Sequence, residues 1–308
     1  MGPKRTKLIV VGGPTASGKT GLAIQLARHY NTEIISADSR QFYHEMRIGN
    51  ARPTAEELAA SPHHFIADRS VTEPLTAGRF AAKALALYKE KFTEAEHLIL
   101  VGGSGLYIRA LCEGLDEFPE VTEEARSRVQ SIWEEQGISG LQTLLQQLDP
   151  TYFTTVDQQN HRRLQRALEV CLSADQPYSS YLGNRPARPF ECIYVMPDVP
   201  RPKLYGRINH RVDAMLAEGL EHEARDLQRY QDLPALQTVG YQEWWPYFKG
   251  EYDRDRAIEL LKRNSRRYAK RQLTWFRKGD LYRAVYTADD VLRLVAGVSG
   301  FAKKKSEG

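Results

Sequence analysis

The residues with the clearest chemical capacity lie in Gly13-Pro14-Thr15-Ala16-Ser17-Gly18-Lys19-Thr20, which fits the phosphate-binding spacing G-x-x-x-x-G-K-[ST]. The residue types explain the spacing. Glycines let successive backbone N–H groups turn toward an anion, Lys19 adds a point charge, and Thr20 offers a hydroxyl to a magnesium ion. A second polar group, Asp38, follows the short apolar run Ile34-Ile35. Open α/β sheets bind ligands beyond the carboxyl ends of their strands, so Asp38 is a site candidate. The alternative is a turn or helix N-cap aspartate. A third segment, Gly102-Gly103-Ser104-Gly105, closes the apolar run Leu98-Ile99-Leu100-Val101 where a Walker-B aspartate is expected. No aspartate is there, which counts against an ordinary ATPase.

These groups need a scaffold, and the apolar periodicity supplies one. Leu8 to Val11 reads as a strand, Leu22 to Tyr30 as an amphipathic helix, Glu33 to Ala37 as a second short strand and Thr76 to Phe92 as a helix. His97 to Val101 and Glu191 to Val195 read as further strands, and Leu204 to Gly219 as a long helix with a glycine stop. The fold class is α/β: a P-loop NTPase-like parallel sheet flanked by helices, with a helical insertion domain. After Leu111 the texture changes, with acidic residues over 113–124 and helical patterning over 125–185, broken at Pro150 and Asn160. The expected division is a catalytic core of 1–114 and 189–308 and an insertion of 115–188. Residues 50–76 are turn-rich, and the pair His63-His64 is expected in a loop near the site, without a third ligand at metal spacing.

Composition sets the remaining bounds. The 308 residues are 42% hydrophobic, with a formal net charge of +4 and three cysteines too far apart to form a zinc motif. No run approaches the roughly 20 apolar residues of a membrane span, and the N-terminus lacks a signal-peptide core, so a cytoplasmic location without membrane attachment is expected. Met1-Gly2-Pro3-Lys4-Arg5-Thr6 matches a myristoylation pattern by coincidence, given Pro3, and Phe301 to Gly308 reads as a disordered tail. Charge is unevenly distributed. Lys262 to Lys278 carries eight basic residues and no acid, interleaved with Tyr268, Trp275 and Phe276, as phosphate-backbone contact requires. A solvated helix face is the alternative. Arg162, Arg163 and Arg166 share a helical face, which a buried Arg–Glu network would also explain. Arg207 and Arg211 stand one turn apart, either to clamp polyphosphate or on a solvated face.

Together these segments resemble the tRNA dimethylallyltransferase (tRNA isopentenyltransferase) family, bacterial type. The resemblance is carried by the phosphate loop, Asp38-Ser39-Arg40-Gln41-Phe42-Tyr43 with Met46 and Ile48 to Pro53, Gly102 to Tyr107, Arg166 to Val170, Arg207-Ile208 to Arg211-Val212, Val239-Gly240-Tyr241, and Ala269 to Gln272 with Thr274-Trp275. They occur in the family's order over about Leu8 to Gly279. Serine replaces the family's usual threonine at 104, arginine stands at 40 where a small or apolar residue is common, and no Cys/His zinc finger follows the core.

The resemblance implies transfer of a dimethylallyl group from dimethylallyl diphosphate to the N6 amine of the adenosine 3′-adjacent to the tRNA anticodon (position 37), with release of diphosphate. It implies Asp38, Ser104 and Arg207 as catalytic, Gly13, Pro14, Thr15, Ala16, Ser17, Gly18, Lys19 and Thr20 as diphosphate-binding, and Mg²⁺ on Thr20. For the anticodon stem-loop it implies Asp38, Ser39, Arg40, Gln41, Ser104, Arg126, Arg162, Arg163, Leu164, Gln165, Arg166, Gln237, Thr238, Val239, Gly240, Tyr241 and Gln242. A monomer is expected. The rival readings are an isopentenyltransferase acting on free adenosine phosphates and a P-loop small-molecule kinase.

Overall fold

The computed structural model describes residues 5–297. The first four residues of the myristoylation-like start and the tail from Phe301 lie outside the described residues. The described chain forms two compact units, one from the segments up to Cys112 and from Arg188 onward, the other from Glu113–Ala187.

The larger unit is built on a six-stranded sheet: β1 (Thr6–Gly12), β2 (Ile34–Ser36), β3 (His63–His64), β4 (His97–Gly102), β5 (Phe190–Pro197) and β6 (Arg283–Val285). Their order is β3-β2-β4-β1-β5-β6 and every pairing is parallel. Parallel strands are covered on both faces, which is why β1 and β4 are unbroken apolar runs. Leu8, Ile9, Val10 and Val11 are wholly buried. Ile9, Val11 and Ile99 pack with Ala23, Leu26 and Ala27 of the helix Lys19–His29 and with Val291 and Val295 of the helix Ala288–Val295.

Register fixes the site. Gly12 pairs with Gly102 and Ser36 with Val101, so β1, β4 and β2 end side by side. The phosphate loop leaves β1, the glycine turn leaves β4 and Asp38 follows β2. Gly18 takes φ 90° before the helix Lys19–His29, a left-handed conformation that glycine adopts without a Cβ penalty.

The helix Arg201–Ala217 packs on the helix Arg254–Phe276 through Leu204, Ile208 and Ala269, with Ala16 of the phosphate loop against the same cluster. A further cluster joins Met46 and Tyr43 to Tyr241, Trp244, Trp245 and Leu261.

The pair His63-His64 is the edge strand β3, paired to Ile34-Ile35, and not the expected loop. Its stability comes from sheet pairing and from His64 Nε2 against the Glu33 carboxylate. Sequence patterning also missed β6, three residues long.

The second unit, Glu113–Ala187, is helical. The helix Glu123–Leu148 is interrupted at Gly137 and packs against His161–Ala174 around Val129, Leu141, Leu145, Leu164, Ala167 and Leu168. The breaks at 150 and 160 have defined chemistry. Asp149 caps Pro150–Phe153 by accepting the Tyr152 N–H, and the Asn160 side chain accepts the Arg163 N–H. Asp149 is 1% exposed and also accepts from Ser179 N–H at 2.7 Å and Ser179 Oγ at 2.8 Å. Among the described residues, no helix is long and apolar enough to cross a membrane.

Candidate active site

Lys19, Thr20, Ser36, Asp38, Gln41 and His63 line one recess of about 260 Å³ at the ends of β1, β2 and β4. Lys19 is half-buried, with Nζ donating to the Pro14 carbonyl at 3.4 Å. Burial, with Arg211 and Arg40 nearby, lowers its pKa to about 8, although the Asp38 carboxylate opposes the shift. Ser17 Oγ, on the same loop, is buried with no hydrogen-bond partner among the described residues. Ala16 adds a left-handed φ of 63°, uncommon for a residue with a Cβ. Such an arrangement suits a polyanion that would satisfy the loop's donors and favour the charged form of the lysine.

Both arginines of the helix Arg201–Ala217 reach this loop. Arg207 donates to the Ala16 carbonyl at 3.5 Å and Arg211 to Thr15 Oγ1 at 3.4 Å. Both side chains are exposed, yet each reaches an atom of the phosphate loop.

Asp38 is 6% exposed at the end of β2. Its Oδ1 accepts the Arg40 backbone N–H at 3.4 Å. The next residue, Ser39, donates its N–H to Ser104 Oγ at 3.0 Å, and the two hydroxyl oxygens are also 3.0 Å apart. The glycine turn after β4 thus carries a hydroxyl that holds the Asp38 turn, where an ATPase would carry a metal-binding aspartate.

Arg40 is held inward. Its guanidinium donates to the Val239 carbonyl at 3.1 Å and stands 4.6 Å from the Tyr268 ring centroid, within cation–π range. Burial works against its charge, but Tyr268, Asp38, Tyr241 and Glu243 together hold its pKa above the ordinary guanidinium value. Arg40, Arg211 and Tyr268 line a second recess of about 430 Å³ with Ile208, Val212, Met215 and Leu261. The Arg40 carbonyl accepts from Asn50 Nδ2 at 2.8 Å, and Gln41 Nε2 donates to the Ala51 carbonyl at 3.0 Å. Glu223 pins the start of that loop, accepting the N–H groups of Arg47, Ile48 and Gly49 and the Tyr241 hydroxyl within 3.0 Å.

The helix Arg254–Phe276 presents Tyr268, Gln272 and Trp275 to these loops. Gln272 touches Thr15 and Gly103. At Gly105 a Cβ would stand 1.9 Å from Trp275 Nε1, so glycine is required for that approach. The basic stripe divides. Lys262 pairs with Asp213 at 2.5 Å and Arg266 donates to Asn209 Oδ1 at 2.6 Å, so neither is a free phosphate contact. Arg267, Lys270, Arg271, Arg277 and Lys278 are exposed.

Several residues expected to touch RNA also have structural duties. Leu164 is 0% exposed in the core of the helical unit, because it lies on the face opposite the arginines. Val239 and Tyr241 are buried, one giving its carbonyl to Arg40 and the other its hydroxyl to Glu223. Gly240 is also buried, its N–H donated to Glu243 at 3.0 Å. Gln237 is exposed; Thr238, Gln242 and Gln165 are half-buried. On the helical unit Arg126, Arg162, Arg163 and Arg166 are all exposed; Arg166 also lies 3.8 Å from Glu169 and over the Phe118 ring, and Arg126 pairs with Glu123 at 3.0 Å.

Among the described residues no three His, Cys, Asp or Glu side chains converge on a cation position. Thr20 and buried Ser36 place hard hydroxyl oxygens in the recess beside the phosphate loop. Magnesium keeps several waters and takes substrate phosphates, so hydroxyl oxygens beside a phosphate loop fit it.

The chain is similar to known proteins over most of its length. The curated tRNA dimethylallyltransferase of Christiangramia forsetii is 50% identical over 272 residues, covering 88% of this chain and 90% of the relative. The tRNA dimethylallyltransferase of Flavobacterium johnsoniae is 46% identical over 280 residues, covering 89% and 91%. A crystal structure of the full-length tRNA isopentenylpyrophosphate transferase of Bacillus halodurans superposes with a TM-score of 0.71 at 34% identity, covering 95% of this chain and 96% of that one. The family model described as IPP transferase matches residues 41–279, and the chain belongs to that family.

Proposed function

We propose that this chain transfers a dimethylallyl group from dimethylallyl diphosphate to the N6 amine of the adenosine at tRNA position 37, releasing diphosphate. The observation that carries this reading is a buried carboxylate, Asp38, sharing one recess with Lys19 and Thr20 of a phosphate loop.

The donor's diphosphate lies against the loop N–H groups and Lys19, with Arg207 and Arg211 beside it. As the allylic C–O bond breaks, charge gathers on the leaving oxygen, and these preorganised cations stabilise it most where water is excluded. The adenine N6 forms the new C–N bond to the allylic carbon. Its proton passes to an Asp38 carboxylate oxygen, since an exocyclic amine is too weak a nucleophile to react while holding both protons. When bound, Mg²⁺ adds charge neutralisation for the diphosphate, with Thr20 as its protein ligand. Ser104 positions the Asp38 turn through Ser39.

An adenine must leave its stack for this chemistry. Ser39, Arg40 and Gln41 bound its place, while exposed Arg162 and Arg163 and the exposed part of the basic helix take phosphates of the anticodon arm. A cytoplasmic monomer fits a tRNA substrate. The deciding experiment incubates the protein with dimethylallyl diphosphate, Mg²⁺ and unmodified tRNA, then weighs the nucleosides. A dimethylallyl mass gain on adenosine is expected, and its absence would overturn the reading. Preference for adenosine monophosphate over tRNA in competition would favour the free-nucleotide rival.

A further inference from the structure

Gln272 has no part in the chemistry above, yet it is 6% exposed and its amide lies between two loops of the site. Its Oε1 accepts the Thr15 backbone N–H at 2.9 Å, and its Nε2 donates to the Gly103 carbonyl at 2.8 Å. We propose that Gln272 is a positioning residue that couples the phosphate loop to the turn holding Asp38, and so sets where the diphosphate donor lies relative to the base. The inference rests on the transferase reading.

Both partners are main-chain groups, so their polarity is fixed and only one orientation of the amide satisfies both. A glutamate cannot donate when ionised, a lysine cannot accept, and an asparagine is one methylene short of spanning the gap. The loops bridged follow adjacent strands, with Gly12 paired to Gly102. A Cβ at Gly103 would stand 2.4 Å from Gln272 Nε2, so glycine there admits the amide.

On one side the contact leads through Gly103 to Ser104, which holds the Ser39 N–H next to Asp38. On the other, Thr15 also receives Arg211, one of the cradle cations. Without the amide, the Thr15 N–H and the Gly103 carbonyl lose a shared buried partner. The two loops then relax independently, and a misplacement of about 1 Å costs about 10²-fold in rate.

The test uses the full chain with Gln272→Met, similar in volume but without the amide, and Gln272→Asn, which retains polarity but cannot reach both partners. Steady-state kinetics with dimethylallyl diphosphate and tRNA are combined with calorimetric binding of inorganic diphosphate in Mg²⁺. The expected result is a kcat lower by about 30- to 100-fold, diphosphate affinity weaker by about tenfold, and a KM for tRNA within about twofold of the starting value. A purely structural role would move the melting point without this split. In a Ser104→Ala background the same Gln272 substitution is expected to cost less, because the two residues act through one turn.

Either variant that folds while keeping kcat and diphosphate affinity overturns the inference, as does full multiplicativity with Ser104→Ala. If the unsubstituted protein gives no prenylated adenosine, the transferase reading fails. In that case unchanged diphosphate affinity in the variants separately overturns the coupling to the phosphate loop.

Discussion

Ser104 Oγ accepts the Ser39 N–H at 3.0 Å, so one hydroxyl on the turn after β4 holds the residue that follows Asp38. Ser104→Ala removes the acceptor without adding bulk. The expected outcome is a kcat about 10- to 100-fold lower, in line with the cost of small misplacements, with Ser104→Thr close to unchanged. Initial rates at saturating tRNA and donor check it, and a fully active alanine variant would remove Ser104 from the site.

Asp38→Asn tests the base directly. A positioned base contributes about 10²–10⁴ in rate, so turnover is expected to fall by that range while diphosphate affinity changes only severalfold. Single-turnover kinetics beside calorimetry separate the two effects.

The lowered pKa of Lys19, about 8, gives donor binding a pH dependence of definite sign. A bound diphosphate favours the ammonium form, so the lysine pKa is higher in the complex than in the free protein. Affinity is therefore full below pH 8 and falls as pH rises above it, by up to about tenfold per pH unit. Diphosphate binding at pH 9 should take up protons, read from titrations in buffers of different ionisation enthalpy. Lys19→Met should abolish both the uptake and the pH dependence.

Glu223 accepts three consecutive backbone N–H groups and the Tyr241 hydroxyl. Glu223→Ala strands these donors, at about 2–4 kcal/mol for a network of buried polar groups. Urea denaturation at neutral pH measures it, and activity should fall with it because the same loop carries Asn50 to the Arg40 carbonyl.

Binding of tRNA should be strongly salt-dependent, with a logarithmic slope of about −0.7 to −0.9 per phosphate neutralised. Arg162→Ala and Arg163→Ala should each flatten that slope by about one contact. Leu164→Ala should instead lower the melting temperature with little change in slope, since Leu164 is buried. Filter binding from 50 to 300 mM salt distinguishes these outcomes.

The phosphate loop and its flanking elements were legible because their determinants are local: glycine spacing, a lysine, and apolar runs of strand length. Strands β3 and β6 were not, having two and three residues whose conformation comes from pairing with a neighbour. Family motifs also mix surface with core. Arg163 and Leu164 are adjacent in sequence, yet the helix turns one to solvent and the other into the interior. The basic stripe reads as uniform charge, although Asp213 and Asn209 claim Lys262 and Arg266 from another helix. Gln272 acts on a residue 257 positions away, a distance that no local pattern encodes.

The helix Arg254–Phe276 also works as a phase-sensitive gauge. Tyr268, Gln272 and Trp275 meet Arg40, the Thr15–Gly103 gap and Gly105 because they recur at intervals of about one helical turn. A single residue inserted between Tyr268 and Gln272 would rotate everything beyond it by about 100° and advance it by about 1.5 Å. Such an insertion would uncouple the loops while adding no charge and removing no side chain. Length between these positions is therefore as strict a requirement as residue identity.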